Sequence, residues 1–428
     1  MQGKKILDKL IIKGQNLLNG EVEISGSKNA SLPILFATLL TDKDIILNNV
    51  PNLRDVTLSI KLLEYIGKKI EYLNNNKILI RQLSNIKYDA PYDLVRQMRA
   101  SVLIIGPMFA RYKKALVSLP GGCAIGIRPI NLHLEGLKEL GADIDLVNGY
   151  VSVFCKNFLS NKIIKLKYPS VGATENLIMS SIFIEGKTVI ENVAKEPEII
   201  DLCNFLNKMG AIIKGIGTSK IEIFGVKKEN LKSIEYTIIP DRIEAGTFII
   251  LGALASESLV IKNFEAGHIE KFLEKVEATE TKIEKLSKNI LKVYGNKNIK
   301  PVSIETSPYP GFPTDMQAQW MVFMTQAEGK SIIKENIFEN RFMHVAEMMR
   351  LGANLEIKNN TVLVNGKTEL KGANVMATDL RASAALVLAG LVASGKTEIS
   401  RIYHLDRGYE AIEKKMTKIN AKIFRVKE

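Results

Sequence analysis

The 428-residue sequence predicts an α/β protein of two domains, each made of three similar units whose most apolar helices are buried. Three observations predict it. Six segments repeat one pattern of amphipathic helix, small-residue stop and β-hairpin. The stops, Gly67, Gly141, Gly210, Ala278, Gly352 and Asn420, are spaced by 74, 69, 68, 74 and 68 residues. Between them lie six stretches that are apolar nearly all round, and a helix without a polar face has to be buried. Units of this size exceed the roughly 20–50 residues of solenoid repeats, so two compact three-unit domains are expected rather than an open array.

Taken in order, the amphipathic segments begin at Lys61, Leu134, Asn204, Phe272, Val345 and Ile412. Each ends at its stop because glycine, and less readily asparagine, adopts the left-handed conformation that closes a helix. Asn75-Asn76, Asn148-Gly149 and Asn359-Asn360 then mark tight turns between alternating strands. The apolar helices are expected over 29–40, 99–110, 173–184, 244–255, 317–327 and 381–393, each followed by a strand such as 186–193 or 329–337. The midpoint of the repeats falls near Pro240. The expected domains are therefore 28–239, and 1–27 together with 240–428.

Composition excludes several classes. Apolar residues at 46% and charged residues at 25% suit a soluble globular chain, not a disordered, collagenous or disulfide-stapled one. Three cysteines point to a reducing compartment. No apolar run approaches the ~18–20 residues of a membrane span, and the first residues lack the pattern of a signal peptide. A cytoplasmic protein without a membrane partner, monomeric by default, is expected. The net charge of +13 favours anionic partners. The excess is dispersed lysine, however, and aromatics are only 7%, so a nucleic-acid partner is not expected. The four histidines are scattered and the cysteines lack CxxC spacing, so neither a metal nor another cofactor is expected.

Each apolar helix begins in a polar cluster: Ser27-Lys28-Asn29, Arg96 to Arg99, Ser170 to Glu175, Asp241-Arg242, Thr314-Asp315 and Thr378 to Arg381. Capping accounts for the Ser, Thr and Asp residues. It does not account for Lys28, Arg99, Arg242 or Arg381, because cations oppose the positive end of the helix dipole. An anion near these starts would explain them. A glycine-rich loop, 120–129, carries Cys123 five residues before Arg128, where the thiol is either a small buried hydrophobe or exposed with a lowered pKa. Cys155 and Cys203 lie in apolar surroundings and read as core.

The segments GEVEISGSKNASLPIL, SLPGGCAIGIRPINLHLEGLKELGA, PSVGATEN, PDRIEAGTF, FPTDMQAQ, ENRFMHV, ATDLRASAALVLAG and RIYHLDRGYE together resemble the enolpyruvyl transferases over essentially the whole chain. The resemblance implies a two-domain inside-out α/β barrel of six βαβαββ repeats, with the active site in the cleft between the domains. It implies addition–elimination: the enolpyruvyl group of phosphoenolpyruvate passes to the 3′-hydroxyl of UDP-N-acetylglucosamine and phosphate leaves. This is the first committed step of peptidoglycan synthesis, and fosfomycin is expected to alkylate the cysteine. The chemistry needs a proton donor for the alkene carbon, a base for the hydroxyl and cations around the phosphate and carboxylate.

Carried over by motif, Cys123 is the general acid and adduct-forming thiol, and Asp315 takes the hydroxyl proton. Lys28, Arg128 and Arg407 grip the phosphate, with Arg341 and Arg381 completing the phosphoenolpyruvate site beside Asn29. Asp379 orients. The nucleotide sugar falls to Arg99, Arg128, Pro129, Ile130, Asn131, Leu132, Ser170, Val171, Gly172, Asp315, Ile337 and Phe338. Asn131 departs from the aspartate usual in the family. A shikimate 3-phosphate enolpyruvyl transferase is the alternative of the same fold, and the Cys123 loop argues against it. A catalytically silent nucleotide-binding relative is the other.

Overall fold

A computed structural model describes residues 8–119 and 129–427. They divide into two compact units, residues 26–119 with 129–239 and residues 8–25 with 240–427.

The 26–239 unit carries helices α1 (Lys28–Ala37), α2 (Arg54–Ile66), α3 (Tyr92–Val95), α4 (Ile105–Tyr112), α5 (Asn131–Glu139), α6 (Val171–Ser180) and α7 (Pro197–Met209). A 3₁₀ segment, Arg99–Ile104, leads into α4. Three four-stranded sheets surround one apolar core. In one of them the spatial order is Asp89–Ala90, Lys114–Ser118, Tyr150–Phe154, Asp143–Val147. The first pair is parallel and the others antiparallel, because the apolar helix crosses between the first two strands while a tight turn joins the last two. That turn has Asn148 at φ 52° and Gly149 at φ 79°, the doubly left-handed geometry that matches strand twist. Each repeat is thus strand, apolar helix, strand, amphipathic helix, hairpin. The strand before the apolar helix belongs to the βαβαββ repeat that the resemblance implies, but not to the pattern of helices, stops and hairpins read from the residues. At two residues in Asp89–Ala90 and Ile304–Glu305 it is too short to show an alternation.

The second unit carries α8 (Arg242–Ala255), α9 (Glu270–Ala278), α10 (Gln317–Thr325), α11 (His344–Arg350), α12 (Leu380–Val392) and α13 (Ile412–Lys418). It also has three four-stranded sheets around its own core. Helices α8, α10 and α12 pack on one another at the centre, and every residue of α10 is buried. The strands show one buried face: in Thr361–Asn365, Val362 and Val364 are buried and their neighbours are not.

Helix stops fall as expected at Gly67, Gly141, Gly210 and Gly352, with φ between 93° and 124°, and at Asn420 with φ 72°. The fourth is different. Helix α9 continues through Ala278, Thr279 follows it, and Glu280 takes the left-handed position at φ 64°. The stop expected at Ala278 therefore belongs to Glu280. Alanine is the best helix former and has no reason to end a helix, whereas Glu280 lies exposed beyond it.

One exchange breaks the local repeat. Leu18–Glu23 precedes α1 in the chain but pairs in parallel with Ser256–Lys262, the strand that follows α8. Ile234–Thr237 precedes α8 but pairs in parallel with Ile45–Asn48, beyond α1. Each unit is completed by the strand that sequence order would give to the other.

Candidate active site

In the 240–427 unit, the starts of the three central helices gather charged groups. Asp315 lies in a 3₁₀ turn, Thr314–Met316, just ahead of α10. Its neighbours hold it in place. Met316 is fully buried, and Phe312 packs edge-on against Trp320 at 5.4 Å between ring centres. The Asp315 carboxylate is clamped by two guanidiniums. Arg341 Nη2 donates to Oδ1 at 2.8 Å, and Arg381 donates to Oδ2 from Nε at 3.1 Å and Nη2 at 2.9 Å. The Arg341 and Arg381 side chains are 6% and 5% exposed, that of Asp315 27%. Burial alone would raise the carboxyl pKa, but Arg381 and Arg341 outweigh it and hold the group well below the usual carboxylate range. Arg381 is correspondingly held charged, against its own burial, chiefly by Asp315.

Arg381 is placed by the helix it opens. Asp379 caps α12, its Oδ1 accepting from Arg381 N at 2.9 Å and Ala382 N at 3.1 Å. The guanidinium lies over the ring of buried Tyr409, 5.5 Å from its centre. The Tyr409 hydroxyl meets Thr247 Oγ1 at 2.9 Å and Gln319 Nε2 at 3.1 Å, so one residue from each of α8 and α10 holds the ring. Arg381 Nη1 is buried and has no hydrogen-bond partner among the described residues. A donor left over in such a clamp suits a further anion oxygen. Arg407 ends the 3₁₀ segment Ile402–Arg407, which packs on α12. Ile337 and Phe338 are half-buried, and Arg341 lies 5.1 Å from the Phe338 ring centre.

In the 26–239 unit, Lys28 opens α1 and pairs with Asp55, in the first turn of α2, at 2.8 Å. Its side chain is 11% exposed and that of Asp55 2%. The cation that capping could not explain thus faces a carboxylate, as Arg381 does. Asn29 is half-buried beside it. Arg99 opens its 3₁₀ segment and its Nη2 reaches Pro129 O at 3.5 Å. Ser170 caps α6, with Val171 and Gly172 in the first turn. Helix α5, which begins at Asn131, packs on α6, so 99, 129–132 and 170–172 form one neighbourhood. Ile130 and Leu132 turn into the core, leaving Pro129 and Asn131 as the exposed side chains of that stretch. Asn131 Nδ2 lies 3.5 Å from Glu135 Oε1, one helical turn on. An aspartate here would face a like charge at that spacing, which disfavours a helix by about 0.2–0.5 kcal/mol.

Cys123 and Arg128 lie outside the described residues. The two described thiols, Cys155 and Cys203, are buried, and burial pushes both pKa values up, Cys203 to about 12. Neither is a nucleophile near neutral pH.

Two residues were not singled out in the sequence. His133 is buried, and burial and then the Arg99 charge push its pKa down to about 3. The ring is neutral. Asn176 Nδ2 lies 2.8 Å from His133 Nδ1, while Asn176 Oδ1 accepts from Gly106 N at 2.7 Å. Nδ1 is therefore the acceptor and Nε2 carries the hydrogen. Gly106 is required here, since a Cβ would stand 2.5 Å from Asn176 Oδ1. The other is Glu335, a buried carboxylate at the end of the strand Lys330–Lys334. Only its place two residues before Ile337 could have drawn attention to it. Among the described residues no cluster of three His, Cys, Asp or Glu could hold a metal, and no helix is long and apolar enough to cross a membrane.

A family model described as EPSP synthase (3-phosphoshikimate 1-carboxyvinyltransferase) matches residues 12–416. A UDP-N-acetylglucosamine 1-carboxyvinyltransferase of Geotalea uraniireducens is 52% identical over 423 residues, covering 99% of this chain and all of the relative. One of Endomicrobium trichonymphae is 49% identical, covering 97% of this chain and 99% of the relative. Among solved structures, the enolpyruvyl transferase NikO of Streptomyces tendae superposes with a TM-score of 0.89 at 23% identity, covering 99% of this chain and all of that one. An EPSP synthase of Acinetobacter baumannii superposes at 0.78 with 15% identity, over 98% of this chain and all of that one. These two likenesses speak for the fold.

Proposed function

Because this chain belongs to the enolpyruvyl transferase family, we propose that it transfers the enolpyruvyl group of phosphoenolpyruvate to the 3′-hydroxyl of UDP-N-acetylglucosamine, as a cytoplasmic enzyme at the first committed step of peptidoglycan synthesis. The observation that carries the choice of acceptor is identity at about half of all positions, over nearly full length, with relatives named for that reaction.

In this reading Cys123 protonates the methylene carbon of phosphoenolpyruvate while the sugar oxygen attacks its C2. Loss of phosphate and of a proton from the methyl group then restores the alkene. Lys28, Arg128 and Arg407 hold the phosphate beside Asn29. Arg99, Pro129 to Leu132, Ser170 to Gly172, Ile337 and Phe338 hold the nucleotide sugar. Asp315 takes the hydroxyl proton.

The clamp on Asp315 supports this assignment and adds a condition to it. A carboxylate held by Arg341 and Arg381 is ionised but a weak base. Phosphoenolpyruvate brings its own carboxylate and phosphate. Once one of these engages Arg341 or Arg381, the hold on Asp315 loosens and its basicity rises as the hydroxyl must be deprotonated. The substrate anion and the base thus share one pair of cations.

The test is phosphate release from phosphoenolpyruvate with UDP-N-acetylglucosamine or shikimate 3-phosphate as acceptor. Release with the nucleotide sugar alone is expected, together with its loss in Cys123→Ser. Release only with shikimate 3-phosphate would replace this reading, and release with neither would favour a binding protein.

A further inference from the structure

Among the described residues Glu335 makes no side-chain hydrogen bond to one assigned to phosphoenolpyruvate, yet it holds both halves of the proposed acceptor site in its unit. Its Oε1 accepts from Ile337 N at 2.8 Å and Phe338 N at 3.2 Å, which fixes the turn carrying the two residues assigned to the nucleotide sugar. Thr306 Oγ1 also donates to Oε1, at 2.9 Å, and itself accepts from Asn336 N at 2.9 Å. The other oxygen, Oε2, accepts from Thr314 Oγ1 at 2.8 Å. Thr314 Oγ1 in turn accepts from Arg341 Nη1 at 3.1 Å, and Arg341 Nη2 reaches Asp315.

The direction of this chain is forced. A guanidinium only donates, so the Thr314 hydroxyl must accept from Arg341 and must give its proton to Glu335. That requires an acceptor, and an ionised carboxylate is the strongest available. The order is Glu335 carboxylate, Thr314 hydroxyl, Arg341 guanidinium, Asp315 carboxylate. Each bond polarises the next. A buried acid without this use would cost stability, so four donors converging on it mark an organised centre.

We propose that Glu335 is a positioning residue that couples the Ile337–Phe338 turn to the Asp315–Arg341 pair through Thr314, so that seating the nucleotide sugar and orienting the base are one event. This rests on the proposed assignment of Ile337, Phe338 and Asp315. Glu335→Gln separates the two arms. The amide oxygen still serves the turn, but the NH₂ that faces Thr314 only donates, so the Thr314 hydroxyl loses the acceptor for its proton. The Thr314 arm fails while the turn survives.

The experiment measures kcat, KM for phosphoenolpyruvate and the calorimetric Kd for UDP-N-acetylglucosamine, with the melting temperature as a fold control. The variants are Glu335→Gln, Thr314→Val, their double variant and Thr314→Ser. Glu335→Gln and Thr314→Val are each expected to lower kcat by about tenfold or more, the effect of one lost hydrogen bond to a charged group, with Kd within about threefold of wild type. The double variant should fall no further than either single one, because both break the same arm. Thr314→Ser, which keeps the hydroxyl, should restore kcat. Wild-type kcat in Glu335→Gln, or a double variant whose losses multiply, would overturn the coupling. So would lowered melting temperatures with unchanged kcat. If Glu335→Gln does not fold, the Thr314→Val and Thr314→Ser pair decides alone, equal kcat in the two overturning it. Absence of wild-type turnover with UDP-N-acetylglucosamine would sink the functional reading itself, and the coupling with it.

Discussion

Asp315→Asn removes one negative charge and almost no volume, and the clamp lets its consequences be worked out. Three hydrogen bonds from two guanidiniums converge on the carboxylate, and both donors are more than nine-tenths buried. Removing one partner of a buried ion pair costs about 3–5 kcal/mol, mostly because the charge left behind is uncompensated. Asparagine keeps one oxygen acceptor and Asp315 is partly exposed, so the lower end, about 3 kcal/mol, is expected. For a unit of roughly 200 residues that is a fall of about 6–12 °C in its melting temperature. Turnover should fall by about 10²–10⁴, the usual contribution of a positioned base. The distinguishing result concerns anions. In the wild type an incoming phosphoenolpyruvate competes with Asp315 for Arg341 and Arg381, and in the variant it does not. Millimolar phosphoenolpyruvate should therefore raise the melting temperature of Asp315→Asn by more than it raises that of the wild type. Scanning calorimetry with and without the ligand reads both numbers. Equal ligand-induced shifts in the two proteins would refute the shared-cation argument, whatever happened to kcat.

Lys68 gives a pH-dependent prediction. It is 2% exposed, its Nζ donates to Thr41 O at 2.7 Å, and burial, then Arg111, push its pKa down from 10.5 to about 7. Between those values the unfolded chain binds the extra proton, so Lys68 makes stability rise with pH from 7 towards 10.5, by about 5 kcal/mol in all. Lys68→Met should be the more stable protein at pH 7 in urea unfolding, and the gap should close as pH rises; a gap independent of pH would contradict the buried-charge account. At Glu280, the left-handed backbone predicts that Glu280→Gly stabilises by about 0.5–1 kcal/mol. A lower urea midpoint would mean that its exposed pair with Lys300, at 2.5 Å, outweighs the backbone strain.

The repeat was legible because both of its helices advertise themselves. The amphipathic helices end at residues that can be left-handed, and the apolar helices have no face for water. The fourth stop was misplaced by two residues because Glu280 carries no composition signal for a left-handed position. The short parallel strands were hidden by their length, and the strand exchange was hidden because pairing between residues 18 and 256 leaves no local trace. At the site, the odd cations at helix starts were legible as a problem before the structure supplied partners for them. Lys28 faces Asp55 and Arg381 faces Asp315. The cation was visible because it violated a local rule, whereas its partner lay on another helix start. Glu335 violates no local rule at all. A glutamate at a strand end looks solvated until its burial and four donors are seen.

The exchanged strands set an order in which the chain can mature on the ribosome. Every strand of the 26–239 unit is present once residue 239 has been made, so that unit can close while synthesis continues. The residues that emerge first have to wait longest. Leu18–Glu23 finds its neighbour only after Ser256–Lys262 appears, and Asp8–Lys13 pairs with Lys396–Ser400 and Lys422–Lys427, the last strand of all. At about 5–20 residues per second, the leading strand of the nascent chain stays without its sheet for some 20–80 seconds. No single cut separates the two units into pieces that each own all their strands. A fragment ending at residue 239 carries two strands with no sheet, Asp8–Lys13 and Leu18–Glu23, and its complement lacks both.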